Sequence, residues 1–485
     1  MQKPNLLFIL TDDQGYWAMG CAGNSEIRTP NLDRLAANGL RFENFFCASP
    51  VCSPARASIL TGRIPSQHGV QDFLRGGNSN LLGDGDAAIE YLHGQTAYTD
   101  LLAQAGYSCG LSGKWHLGYA EKPQKSFAYW NVHATGSGPY YHAPMIEHGR
   151  LYEPQAYVTD LITHNALGFL AAHKENQRPF CLNVHYTAPH APWGREHHPP
   201  ALYDDYFHNC AFASVPDEPM HRQHLAKEGA AGSLGFTPES RRATLSGYFA
   251  AVTAMDANVG RLLDWLEEHS LLEETLVIFT SDNGMNMGHH GIYGKGNGTF
   301  PPNMFDTSVK VPTIISRRGH IPQGQVIRSL HSHYDLMPTL LDYLGIENPE
   351  ADMLPGHSFA PILRGEPAGE EAPIVVFDEY GPTRMIRTAA WKYVHRYPYG
   401  PHELYDLVND PNERRNIIAE SAHSSRRQEL QAELESWFVR YADPQRDGAR
   451  EAVMGRGQLD VVGPAAQGRQ RFGDDVVYAA HERED

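Results

Sequence analysis

The order of apolar runs, helical stretches and breakers predicts an α/β fold. A large domain would carry a mostly parallel central sheet flanked by helices, and a small C-terminal α+β domain would carry a short antiparallel sheet. Three observations lead there. Runs dominated by apolar residues, such as Leu6 to Leu10 and Thr275 to Thr280, read as strands covered on both faces. Stretches of helical period alternate with them, Leu245 to Glu268 being the longest. Beyond about residue 370 the pattern changes to closely spaced short strands and one amphipathic helix.

Taken in order, Leu6 to Leu10 is the first buried strand. Pro30 to Asn38 reads as a helix, with Thr29 as N-cap, Pro30 in its first turn and Gly39 after its end. Arg41 to Phe46 reads as the next strand. A helix is expected to start at Ser58 to Leu60 and to close at Thr61-Gly62. Tyr98 to Ala105, ending at Gly106, is a helix, and Tyr107 to Leu111 follows as a strand. Phe180 to Tyr186 is a strand leading into a Pro-rich loop. Thr275 to Thr280 ends at Ser281-Asp282-Asn283-Gly284. Gly365 to Pro373 reads as a linker. After it, Ile374 to Phe377, Thr383 to Thr388 and Lys392 to Arg396 read as short antiparallel strands, and Ser424 to Tyr441 as an amphipathic helix. The division expected is 1–370 for the large domain and 371–485 for the small one. From Gly448 the chain is polar and Gly-rich, either mobile or an arm packed on a neighbour in a homo-oligomer.

With 485 residues the chain can bury a core without disulfide staples. Its formal net charge of −17 argues against a nucleic-acid partner, though a local cluster of cations can still hold an anionic substrate. None of the six cysteines forms a CxxC pair, which argues against structural zinc. The opening run Asn5 to Leu10 is too short for a signal core and leads straight into Asp12-Asp13. No run is long enough to span a membrane. A soluble, cytoplasmic protein with no membrane partner is expected.

Several segments carry chemistry-bearing residues. In Cys52-Ser53-Pro54-Ala55-Arg56, the cysteine is open between a buried structural thiol and a nucleophile precursor beside a fixed positive charge. Asp12-Asp13 and Asp282-Asn283 each follow a strand. Either pair alone could be a solvated turn. Together they make an all-oxygen ligand set suited to a hard cation such as Ca2+, with Mg2+ or Mn2+ as alternatives. In Gly113-Lys114-Trp115-His116 an extended backbone would put Lys114 and His116 on one side. His190 sits between Pro189 and Pro192, a rigid loop that could aim an imidazole or simply hold a structural one. His185, upstream, is a strand residue that could line the same pocket. Lys295 lies in Gly294-Lys295-Gly296-Asn297-Gly298, a loop able to cradle an anion but without the spacing of a Walker motif. In open parallel sheets ligands bind beyond the carboxyl ends of strands, so these segments can converge.

Together the segments resemble the formylglycine-dependent sulfatase family of the alkaline phosphatase superfamily. The resemblance runs from Asn5 to Gln14, through Thr29 to Leu35 and Cys52 to Arg63, to Gly113-Lys114-Trp115-His116 and Ser281-Asp282-Asn283-Gly284. Glu403-Leu404-Tyr405-Asp406-Leu407 resembles the family's small-domain signature. It implies an alkaline-phosphatase-like large domain and a hydrolase of sulfate esters, a carbohydrate sulfate first among substrates. It also implies that a formylglycine-generating enzyme oxidises Cys52. The implied metal ligands are Asp12, Asp13, Asp282, Asn283 and residue 52 itself. Arg56 and Lys114 would hold the hydrated aldehyde, one hydroxyl of which attacks sulfur with Asp282 as base. Lys114, Lys295, His190 and His185 would bind the substrate, His190 would protonate the leaving alcohol, and His116 would take the proton that lets sulfate leave. The loop from Lys295 to Phe305-Asp306 is longer than the family's usual one, which brings His289 and His290 forward as alternatives to Lys295. A phosphonate monoester or phosphodiester hydrolase of the same superfamily is the rival reading.

Overall fold

A computed structural model describes residues 3–82, 87–174, 178–224, 237–366, 375–466 and 468–474. Ten strands form one sheet: β1 Asn5–Thr11, β2 Leu40–Phe46, β3 Ser108–Lys114, β4 Tyr129–His133, β5 Met145–Glu147, β6 Arg150–Tyr152, β7 Phe180–His185, β8 Thr275–Ser281, β11 Thr313–Ser316 and β12 Gln325–Ser332. A separate ribbon pairs β9 Asn286–Met287 with β10 Tyr293–Gly294. The large sheet runs β12-β2-β11-β8-β1-β7-β3-β4-β5-β6. Its middle, β8-β1-β7-β3-β4, is parallel, while β11 and the β5–β6 edge run antiparallel.

The first strand shows why this region is the core. Leu6, Phe8 and Leu10 belong to one apolar cluster and Leu7 and Ile9 to the other, and all five are fully buried. Alternate side chains thus feed two helical layers, as a strand covered on both faces must. The helix Pro238–Glu268 is longer at its N-terminus than its apolar period alone predicts, because Thr237 caps it and Pro238 fits its first turn. The helix Val158–His173, with the strands β4 to β6, β11 and β12, adds to the elements expected from sequence.

Two expectations are corrected. The helix expected from Ser58 starts instead at Cys52 and ends at Thr61. Pro54 does not break it, because the first four N–H groups of a helix have no intrahelical acceptor to lose. The strand expected to end at Leu111 continues to Lys114, so Lys114 sits at the strand end and not in a following loop.

The C-terminal sheet is antiparallel, β13 Val376–Tyr380, β14 Thr383–Arg387, β15 Trp391–Arg396 and β16 Glu403–Asp406, in that order. The helix Ser424–Tyr441 covers it with Leu430, Leu434 and Phe438. Ala48, Ile64 and Tyr334 of the large domain join the same cluster. The linker expected at Gly365 to Pro373 falls mostly on 367–374, and the strand start at Ile374 with it, outside the described residues. Among the described residues no helix is long and apolar enough to cross a membrane.

Candidate active site

Because β8, β1, β7 and β3 are adjacent and parallel, their carboxyl ends share one edge. Thr11 stands beside Ser281 in register, Leu10 beside His185, and His185 beside Gly113. Asp12-Asp13, Asp282-Asn283, Lys114 and the His190 loop therefore emerge side by side, although up to about 270 residues separate them. The helix that begins at Cys52 points its N-terminus at this edge, the positive end of its dipole.

Three buried carboxylates each take one cation. Lys114 Nζ lies 2.5 Å from Asp12 Oδ2, and Lys295 Nζ 2.5 Å from Asp13 Oδ1. Arg56 meets Asp282 Oδ2 through Nε at 2.9 Å and Nη2 at 2.8 Å. Arg56 Nη1 also donates to the Lys114 carbonyl at 3.1 Å, so one guanidinium ties the Cys52 helix to two strand ends. Asn283 Nδ2 donates to Asp13 Oδ1 at 2.8 Å, and the Asp13 N–H to Asp282 Oδ1 at 3.2 Å. His190 Nε2 stands 3.6 Å from Asp13 Oδ2. The backbone bends sharply to achieve this: Asp13 has φ 63° and His116 φ 52°, both in the left-handed region that costs non-glycine residues energy. The expected extended run from Lys114 to His116 is thus replaced by a turn. Gly113 precedes it because a Cβ there would fall 1.9 Å from the His185 carbonyl.

The electrostatics are lopsided in an instructive way. Burial and the neighbouring Asp282 charge push Asp12 up to about 8, against the pull of Lys114. Burial alone would raise Asp13 too, but Lys295 and His190 hold it well below the usual carboxylate range. Asp282 is likewise held low by Arg56, Lys114 and Lys295 against its burial. Burial raises the Cys52 thiol, though Lys114 and Lys295 oppose it. His190 is pulled down to about 4 by loss of water and by Lys295 and Lys114.

A cation fits what remains. Among the described residues Asp12 Oδ1 and Asn283 Oδ1 are buried without a hydrogen-bond partner, an arrangement that costs energy unless something answers them. Ligand atoms of Asp12, Asp13 and His190 lie within 4.8 Å of one another. Asp12, Asp13 and Asn283 offer oxygens, the donors a hard divalent ion prefers, and His190 offers a nitrogen.

The remaining expected residues are placed as follows. Lys295 reaches the site in spite of its lengthened loop, because Asn303 Nδ2 holds the Lys295 and Gly296 carbonyls at 3.0 and 3.2 Å. The Gly296 N–H donates to Pro50 O at 3.2 Å, which docks the loop beside the Cys52 helix. His289 and His290 are taken up elsewhere, His289 tilted against Trp17 and His290 stacked on Phe305, with ring centroids 4.9 and 3.8 Å away. His185 is buried, with Nδ1 3.1 Å from the Lys114 carbonyl, and burial with the Arg56 charge lowers it to about 3. His116 is buried with Nε2 3.0 Å from the Leu74 carbonyl, and burial holds it well below its usual value. Sequence reasoning passed over Tyr248, whose hydroxyl donates to Asp13 O at 3.0 Å and accepts from the Gly15 N–H at 2.9 Å, fixing the strained turn. It also passed over Ser281, whose Oγ accepts from the Gln14 N–H at 3.0 Å. A tyrosine inside a long apolar helix gives no sequence signal for such a part.

A family model described as Sulfatase matches residues 4–346, and one described as N-sulphoglucosamine sulphohydrolase, C-terminal, matches 288–439. The chain belongs to the sulfatase family. It is a sulfuric ester hydrolase. An N-acetylglucosamine-6-O-sulfatase of Bacteroides thetaiotaomicron is 29% identical, the match covering 94% of this chain and 90% of the relative. A solved sulfatase-fold structure with D-glucosamine-2-N,6-O-disulfate bound is 27% identical, with TM-score 0.76, over 93% of this chain and all of that one. A phosphonate monoester hydrolase of Agrobacterium radiobacter, 22% identical with TM-score 0.67 over 90% of this chain and 96% of its own, shares the fold alone.

Proposed function

We propose that this sulfatase hydrolyses a carbohydrate sulfate, using residue 52 as formylglycine and a divalent cation, calcium first. The observation that carries the reading is Cys52 at the first turn of a buried helix, among three cations and three carboxylates with two orphaned oxygens. A buried thiol whose pKa is raised is a poor nucleophile as it stands, which favours chemical conversion over direct use. The two relatives named for amino-sugar sulfates support the substrate class.

As a hydrated aldehyde, residue 52 supplies one hydroxyl for attack on sulfur and a second whose deprotonation restores the carbonyl. A cation held by Asp12, Asp13, Asp282, Asn283 and residue 52 would supply Lewis-acid polarisation of sulfate and nucleophile oxygens. Asp282, fixed by Arg56, takes the proton of the attacking hydroxyl. Lys114 and Lys295 would face the sulfate oxygens, where charge develops, and the Asp13 carboxylate raises the proton affinity of Lys295 against its burial. His190 donates through Nδ1 to Ala191 O at 2.7 Å, leaving Nε2 toward the pocket. A bound sulfate raises its affinity for the proton that the leaving alcohol needs. His116 removes the second hydroxyl's proton.

The test is sulfate release by the formylglycine-bearing enzyme from a panel of sulfated amino sugars, other sulfated sugars and aryl sulfates. A sulfate ester and a phosphonate ester of one alcohol are compared in parallel. Release from a sulfated sugar with the higher kcat/KM for the sulfate ester is expected. No release from any sugar, or preference for the phosphonate, overturns the proposal.

A further inference from the structure

Of the stretch after Gly448, the described residues 449–466 and 468–474 pack on their own chain's large domain. Val453, Val462 and Phe472 enter the main apolar cluster of that domain, and Gln458 between them is fully buried. Gln458 brackets residues 69–76. Its Oε1 accepts from the Gln71 N–H at 2.8 Å, and its Nε2 donates to Gly69 O at 3.0 Å and Asp460 O at 2.9 Å. Its own N–H donates to Phe73 O at 2.8 Å, and its carbonyl accepts from the Arg75 and Gly76 N–H groups at 2.9 and 3.1 Å. Beside it, the Gly457 N–H donates to Asp72 Oδ2 at 2.9 Å, while Asp72 Oδ1 takes the Tyr380 hydroxyl.

Leu74 lies inside this bracket, and both of its main-chain groups serve the active site. Its N–H donates to Ser53 Oγ at 3.0 Å, next to Cys52. Its carbonyl stands 3.0 Å from His116 Nε2. A carbonyl only accepts, so Nε2 carries the ring proton and Nδ1 keeps the lone pair. Nδ1 is buried and has no hydrogen-bond partner among the described residues. The ring is also boxed in, since a Cβ at Gly136 would fall 2.1 to 2.4 Å from three of its atoms.

We propose that Gln458 is a positioning residue for His116. The Gln458 main chain pairs with residues 73, 75 and 76 whatever the side chain; by fixing residues 69 and 71 the side chain aims the Leu74 carbonyl, sets the His116 tautomer and leaves Nδ1 as the base. The inference rests on the reading of His116 as the group that releases sulfate. In that step Nδ1 takes the proton from the hydroxyl on the carbon that bears the sulfate. The freed O–H electron pair forms C=O, the bond from that carbon to the sulfate oxygen breaks, and sulfate leaves with its electron pair. A misaimed ring slows this step and leaves the attack on sulfur intact.

The experiment is rapid quench of formylglycine-bearing enzyme with an aryl sulfate, followed by the mass of the residue-52 peptide. Gln458→Ala is expected to lower kcat by roughly tenfold to a hundredfold, the range for losing a group that orients a functional histidine. KM is expected to fall with it, and the peptide to carry a sulfate that wild type does not accumulate. Gln458→Asn, which keeps an amide donor and acceptor on a shorter side chain, is the milder variant should the alanine protein fail to fold, and is expected to accumulate less. His116→Ala is the control and should accumulate the most. If His116→Ala accumulates sulfated peptide and the folded Gln458 variants do not, Gln458 is packing only and the proposal falls. If His116→Ala does not, the role given to His116 falls instead.

Discussion

Two buried clusters in this molecule contain the same ingredients. At the strand ends Asp12, Asp13 and Asp282 face Lys114, Lys295 and Arg56. At the seam with the small sheet Asp306, Asp378 and Glu413 face Arg387, Lys392 and Lys310. The seam is closed on itself. Asp306 takes Arg387 at 3.2 Å and Lys392 at 2.5 Å, Lys392 also pairs with Glu413, and Glu413 Oε2 accepts the Asp306 N–H at 2.6 Å. Asp378, with no hydrogen-bond partner among the described residues, is pushed well above the carboxylate range by burial and by Asp306, against Lys392 and Arg387. In the pocket the three carboxylates are all paired, yet Asp12 Oδ1 and Asn283 Oδ1 remain without a hydrogen-bond partner among the described residues. Balanced charge alone therefore does not mark a site. Leftover acceptors alone do not either, since both oxygens of Asp378 also lack a hydrogen-bond partner among the described residues; what sets the pocket apart is that its leftover acceptors stand at the strand ends, beside Cys52 at the start of its helix.

The comparison can be broken at either end. The largest expected effect is in the pocket: Asp282→Asn, which keeps the shape but removes the proposed base and the anionic partner of Arg56, should lower kcat/KM by about a thousandfold or more, in the range of combined base and charge loss. Sulfate release by a properly folded variant measures it, and a loss under about tenfold would show the cluster to be structural. Next is the seam: Asp306→Ala leaves Lys392 and Arg387 buried against less negative charge, and should destabilise by on the order of 3 kcal/mol while the folded enzyme keeps its kcat. Urea unfolding with parallel assays checks it, and a lost kcat in folded protein would join the seam to the chemistry. The smallest effect is a slope. The folded state binds the Asp378 proton more tightly than the unfolded chain does. Its contribution is full below the unfolded pKa near 3.8 and is lost as pH rises above it. Asp378→Asn does not titrate, so its Tm relative to wild type should climb from pH 4 to pH 8. A flat difference would mean that Asp378 is ionised in the fold.

The sheet's centre was legible because buried parallel strands are continuous apolar runs, and the site residues sit directly after them. The start of the Cys52 helix was hidden by Pro54, which reads as a breaker when its place in the first turn is not known. The turn at His116 was hidden because nothing in Trp115-His116 announces a left-handed residue. The anchoring of Lys295 by Asn303, and of Leu74 by Gln458, depends on contacts between distant segments. Polar side chains in a Gly-rich tail look the same whether they face water or are buried in a bracket.

The central claim is that residue 52 works as an aldehyde and not as a thiol. The mass of the peptide spanning it, from protein coexpressed with a formylglycine-generating enzyme, tests this most directly. A mass lower by about 18 Da is expected, the change from CH2–SH to CHO, since the nucleophile depends on that conversion. A thiol that persists while a control substrate is converted would contradict it.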